Sequence, residues 1–290
     1  MLLCTLREFC HNYSMNNLAQ VYLPHFVIVF IYLAVAADFW RSAKTMASEQ
    51  SLKLHSAAIA LGLVIHGWLL YQDIFGESFG SGFNLGFFNA LSLIFWLTVL
   101  VYWFANLKHH LQSLQAFVLP PAALFALLPI LISTKHFIPQ SSKPLFMAHI
   151  GIALLAYSLF TFAALHALLM TVAERSLHNK PTIIKLPSFP PLMVMEGLLF
   201  RVITLGFVLL TITLISGMFF SEQLYGKPLE FTHKIVFSIA SWLIYGWLLF
   251  GRYQYGWRGK KAINITLIGF ALLLLAYVGS KFILQVLLGR

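Results

Sequence analysis

Eleven histidines are the residues of this 290-residue chain best equipped to do chemistry. Their positions against the apolar runs divide them. His25, His66, His149 and His233 fall near one end of four different runs. His55 and His166 fall near the opposite end, and His109, His110 and His178 lie in connecting segments. An ionisable group at membrane depth is costly, so each intramembrane imidazole is a site candidate in its own right. Neutral imidazole is a common axial ligand of haem iron, which makes haem the cargo this pattern suits best.

Spacing limits which of them share a ligand. His149 and His166 are seventeen residues apart, about 25 Å along one helix, and cannot grip one iron. His55 and His66 return to nearly the same helical face but about 16 Å apart, enough for two layers and not one site. A bis-histidine site must therefore join different spans. His149 with His233 is the leading pair, with His66 as a third candidate and exchange partner; His55 with His166 is a weaker pair at the other end. A porphyrin also wants flat apolar walls, for which Trp68, Tyr71, Phe75, Phe79, Phe219 and Phe220 are available. The ordinary alternatives are interhelical hydrogen bonding for the histidines and a lipid-facing belt for the aromatics.

The elements that must position these residues are helices. The chain is 60% hydrophobic and 10% charged, with a mean hydropathy of +0.83. A water-soluble domain needs more charge than this to cover its surface. Eight runs reach the roughly 20 residues that a bilayer core demands: 18–40, 52–71, 84–104, 114–133, 145–171, 196–220, 232–250 and 262–287. Glycine and proline punctuate the segments between them. The expected fold is all-α, an integral membrane bundle of eight transmembrane helices forming one domain over 18–290. Residues 1–17 precede it as an outward-facing segment, and Met15 is an alternative start.

Orientation follows from basic residues in short loops. Arg41, Lys44, Lys53, Lys108, Arg175, Lys180, Lys185, Arg252, Arg258, Lys260 and Lys261 give eleven on one side. Arg7, Lys135, Lys143, Lys227 and Arg290 give five on the other. Both termini are therefore expected to face outward from a bacterial inner membrane, as are His25, His66, His149 and His233.

Other motifs are sparse. The net charge of +10 is scattered over many loops, without the basic stripe of a nucleic-acid binder. Cys4 and Cys10 form neither a CxxC nor a CxxCH pattern. Metalloprotease, serine-hydrolase and phosphate-loop signatures are missing, so no catalytic residue is nominated. Asp38 is expected to pair with Arg41 at a span end, and Glu196 with Arg201 to have a structural role. Ala60, Gly62, Ala153 and Ala156 read as helix-packing contacts.

Three stretches resemble the cytochrome c assembly family of the CcsA/CcmC type. They are AHIGIALLAYSLFTFAALHALLM (148–170), LLFRVITLGFVLLTITLISGMFF (198–220) and ASWLIYGWLLFGRYQYGWRGKKAINITLIGFALLLLAYVGS (240–280), together covering about 145–285. The resemblance implies haem handling and carries over one ligand, His149. His233 is assigned from its placement alone. The tryptophan-rich WWD segment of the haem ligases is replaced by SEQLYGKPLEFTHK (221–234), which speaks against ligase activity. That pattern is similar to the YpjD/HemX branch.

The expected function is haem binding in support of cytochrome c assembly, with other maturation proteins as partners. One alternative is a regulator acting on a haem-synthesis enzyme through the loops at 172–195 and 251–261. A small-solute transporter is the remaining one, disfavoured by the lack of repeat symmetry and of a broken-helix pair.

Overall fold

The computed structural model describes residues 22–39, 41, 49–75, 83–109, 111–131, 137–138, 144–178, 191–225 and 233–279. In hydrocarbon every backbone polar group must find its partner within the segment, and these apolar runs accordingly coil into helices. Eight are long and apolar enough to cross a membrane. They are α1 (Tyr22–Phe39), α2 (Glu49–Phe75), α3 (Phe87–His109), α4 (Gln115–Leu131), α5 (Pro144–His178), α6 (Leu192–Tyr225), α7 (His233–Tyr255) and α8 (Gly259–Leu274). The all-α, eight-span polytopic expectation holds. One addition is a two-residue antiparallel ribbon, in which β1 (Phe83–Asn84) pairs with β2 (Phe137–Ile138). It ties the start of α3 to the segment before α5.

Consecutive helices run in opposite directions, so the starts of α1, α3, α5 and α7 share one end of the bundle. Three cross-helix contacts fix that end: His25 with Asp73, His66 with Ser92, and His149 with Ser216. The other end is fixed by Asp38 with His55, His166 with Met195, and Glu196 with Arg252. α5 is the axis of the fold. Its span is 72% buried, more than any other, and it packs against α3, α4, α6 and α8.

Lipid is as apolar as leucine, so helices associate in membranes through close packing and hydrogen bonds rather than water exclusion. The interfaces obey that rule. Gly62 of α2 lies under the Tyr32 ring of α1, and Gly206 of α6 lies under Phe160 of α5. Phe160 stacks on Tyr245 of α7 at 4.1 Å between ring centroids, and Tyr245 donates to the Thr266 carbonyl of α8. Ser241 donates to the Gly269 carbonyl at 2.8 Å, and Trp96 to the Leu63 carbonyl at 2.8 Å. One apolar cluster takes residues from all eight helices.

The span limits differ from expectation mainly where helices overrun the bilayer. α5 and α6 have 35 and 34 residues and extend beyond the predicted runs. α8 passes into a π-turn over Leu275–Gly279, and the rest of the eighth predicted span lies outside the described residues. Residues 1–17, with both cysteines and Met15, also lie outside them.

Candidate functional site

His149 occupies the second turn of α5 and is half-buried against α6. Its Nδ1 lies 2.7 Å from the Ser216 hydroxyl oxygen. That hydroxyl has one proton, and it sits 2.7 Å from the Ile212 carbonyl, the i−4 acceptor of its own helix. A serine proton given to that carbonyl leaves Nδ1–H of His149 to donate to Ser216. In that arrangement Nε2 carries the lone pair, the state a metal ligand needs. Two further contacts set the ring plane. Phe146 stacks on it at 6.2 Å and 14°, and Gly217 lets it lie close to α6, since a Cβ there would be 3.4 Å from its Cε1.

α7 reaches the same end. Trp242 Nε1 donates to Thr211 Oγ1 at 2.8 Å and its ring stacks on Phe207, which fixes the register of α7 against α6. His233 is the first residue of α7 and is exposed. It lies nine residues before Trp242, about half a turn away around the helix. The Nδ1 hydrogen bond of His149 goes to Ser216 and not to His233. The next residue of α7, Lys234, is exposed as well.

His66 sits elsewhere. It is 2% exposed on α2, with Nε2 3.0 Å from Ser92 Oγ of α3 and its ring edge-on to Tyr32 of α1. Its Nδ1 and the Tyr32 hydroxyl are both buried without a hydrogen-bond partner among the described residues. His25, also buried, lies 3.8 Å from Asp73 at the same end. These groups form a polar cluster among α1, α2 and α3, apart from the His149–Ser216 contact between α5 and α6.

The aromatic wall divides in the same way. Tyr71 and Phe75 of α2 line a groove of about 270 Å³ with Trp96 of α3 and Met147, Ile150 and Gly151 of α5. Since His149 faces α6, the groove and the imidazole occupy different faces of α5. Trp68 is 59% exposed and Phe219 67%, as lipid-facing residues are. Phe79 and the side chain of Phe220 lie outside the described residues.

At the opposite end the charged groups choose other partners than expected. Asp38 pairs with His55 at 2.8 Å, not with Arg41, because the start of α2 returns the imidazole to the end of α1. His166 is fully buried and donates from Nε2 to the Met195 carbonyl at 2.8 Å, so it forms no pair with His55. Glu196 accepts from Arg252 at 2.6 Å and lies 3.8 Å from Arg258, while Arg201 points outward. Arg252 also donates to the Trp257 carbonyl and lies over the Phe200 ring. Trp257 packs on Gly251 with Lys261 over its other face, and Gly256 and Gly259 adopt positive φ to make the turn. The sequence carried little sign of this knot, because its partners are 56 residues apart.

The fold defines a polytopic helical membrane protein with a half-buried imidazole hydrogen-bonded across helices near one end of the bundle. The chain belongs to the cytochrome c assembly protein family, which matches residues 54–288. That match begins well before the 145–285 stretch carrying the motif resemblance. The chain is similar to the inner membrane protein YpjD of Escherichia coli, 33% identical over 236 residues, covering 80% of this chain and 86% of that protein. It is also similar to the cytochrome c biogenesis protein CcsA of Prochlorococcus marinus, 37% identical over 89 residues, 31% of this chain and 28% of that protein. CcsA of Chlamydomonas reinhardtii is 26% identical over 146 residues, 50% of this chain and 40% of that protein.

Proposed function

We propose that the chain is an inner-membrane protein that holds haem reversibly at the His149 end and so supports cytochrome c assembly. The observation that carries this reading is the bond from His149 Nδ1 to a serine whose own proton is already spent on Ile212. Such a hydrogen bond orients the ring and raises the basicity of the other nitrogen, as partners of metal-bound histidines do. Family membership and the likeness to proteins named for cytochrome c biogenesis support the same cargo.

In this reading His149 would hold the haem iron through Nε2, Ser216 fixes the tautomer, and Phe146 keeps the ring plane. His233, at the same end on α7 but turned away from α6, would have to swing round that helix end to give a second ligand. His66 acts only as an exchange partner and must give up Ser92 to do so. The iron supplies the ligand-exchange chemistry that makes holding reversible. Both termini then lie on the outward side, with the Glu196 end toward the cytoplasm, as the loop charges require. Other cytochrome c maturation proteins are the partners that would deliver or receive the haem.

The test is an absorption spectrum of the detergent-purified chain with added ferric haem, then reduced, beside His149→Ala and His233→Ala. The wild type is expected to show a low-spin bis-histidine spectrum that His149→Ala loses and His233→Ala converts to a five-coordinate one. A wild-type protein that takes up no haem would overturn the reading. The regulatory alternative would then lead, acting on a haem-synthesis enzyme through the 251–261 loop.

A further inference from the structure

A lysine in a membrane span demands a reason and a partner. Lys234 stands in the first turn of α7, which holds no acidic residue. No ion pair or hydrogen bond engages its ammonium among the described residues. Its charge sits at the positive end of the α7 dipole, where a cation is disfavoured and an anion favoured.

Its height on the bundle is fixed by the Trp242–Thr211 bond. Lys234 is eight residues from Trp242, about 12 Å, and Ser216 is five residues from Thr211, about 7.5 Å, in the same direction. The lysine backbone therefore stands about 4.5 Å beyond the level of the serine that holds His149, within reach of a four-carbon stem. Tyr245, eleven residues on and so on nearly the same face of α7, stacks on Phe160 of α5, which turns the Lys234 face toward α5. Eight residues turn Lys234 about 80° from Trp242, whereas nine turn His233 to the far side of α7. An exposed cation thus stands on the α5-facing side of α7, just beyond the level of the serine that holds the imidazole.

We propose that Lys234 is the carboxylate anchor of the His149 site, so that the cargo is gripped at two points, a metal at Nε2 and a carboxylate at Nζ. This rests on the haem reading and adds the recognition of the propionate edge. Lys234 discriminates a porphyrin with free carboxylates from one without them, and it fixes which edge of the macrocycle faces α7. A point charge on a flexible stem suits a cargo that must later leave, because its charge-assisted hydrogen bond is strong but not directional like a guanidinium fork.

The experiment titrates the full chain in detergent with ferric haem and, separately, with iron protoporphyrin dimethyl ester. Wild type, Lys234→Gln, Lys234→Arg and His149→Ala are compared by absorbance. Wild type is expected to bind haem about tenfold more tightly than the ester. Lys234→Gln is expected to lose that preference through weaker haem binding while ester binding stays unchanged, and Lys234→Arg to restore most of it. Equal wild-type affinities for haem and ester would overturn the Lys234 assignment and leave the haem reading standing. An equal loss of both ligands in Lys234→Gln would also overturn it, showing a structural role for the lysine. If wild type binds neither porphyrin, the haem reading itself fails and the anchor with it.

Discussion

α5 carries two histidines, and the structure treats them in opposite ways. His149 is half-buried and gives Nδ1–H to a side-chain hydroxyl, so the nitrogen at the tip of the ring holds the lone pair. His166 is fully buried and gives its tip proton to a backbone carbonyl, so the lone pair belongs to Nδ1, which has no hydrogen-bond partner among the described residues. His166 stacks on Phe162 at 5.9 Å and 6°, an arrangement that closes its pocket. Residue type and helix are the same in both cases. What separates the proposed ligand from the core residue is which nitrogen is protonated and what fixes it.

The largest effect that would break this comparison is on stability. His166→Ala removes a fully buried ring and strands the Met195 carbonyl, and is expected to cost about 3 kcal/mol in detergent unfolding. His149→Ala, at a half-buried site, is expected to cost under about 1 kcal/mol. Reversed costs for these two variants would sink the division into core and ligand histidines.

A smaller effect is expected at the far end. Glu196 faces Arg252 at 2.6 Å and Arg258 at 3.8 Å, with only 13% of its side chain exposed. Glu196→Gln keeps the hydrogen-bonding shape but removes the charge, and is expected to cost about 1.5 kcal/mol. The loss should persist at high salt, since a pair so enclosed is weakly screened. A loss that vanishes at about 1 M salt would mark the pair as a surface contact.

Ser216→Ala sharpens the comparison on the ligand side. Losing the group that orients His149 is expected to weaken haem about tenfold, with the unfolding midpoint unchanged. Ser216→Thr should restore binding, and a variant at wild-type affinity would show that the tautomer does not matter. The smallest effect belongs to the turn after α7, where Gly256 has φ +63°. Gly256→Ala there is expected to cost about 1 kcal/mol and to leave haem uptake intact.

The eight spans were legible because hydropathy and length alone decide them, and their centres fall where the apolar runs put them. Their ends were less so, since α5 and α6 continue as helix past the hydrophobic limit into segments whose composition favours no boundary. His149 could be singled out from its motif and its place near a span end. The hydroxyl that holds it, 67 residues away, could not, because a serine in an apolar helix reads as a packing residue. The same blindness hid Ser92 from His66 and Arg252 from Glu196. Arg41 is the partner a linear reading assigns to Asp38, because adjacency is what such a reading sees. Helix pairing across the bundle decided otherwise.

The length of α5 has a consequence for the membrane itself. Its 35 residues span about 52 Å, well beyond a hydrocarbon slab of about 30 Å. With the helix upright, the two histidines alone account for about 25 Å, leaving roughly 5 Å for the slab to share between its two faces. A slab centred between the two histidines puts one ring just inside each boundary. A thinner bilayer would then push an imidazole out among the headgroups and a thicker one would drown both, so hydrophobic mismatch would set how easily the proposed ligand meets His149. The helix works as a gauge, and the thickness of the surrounding lipid is one of the variables that sets access to the site.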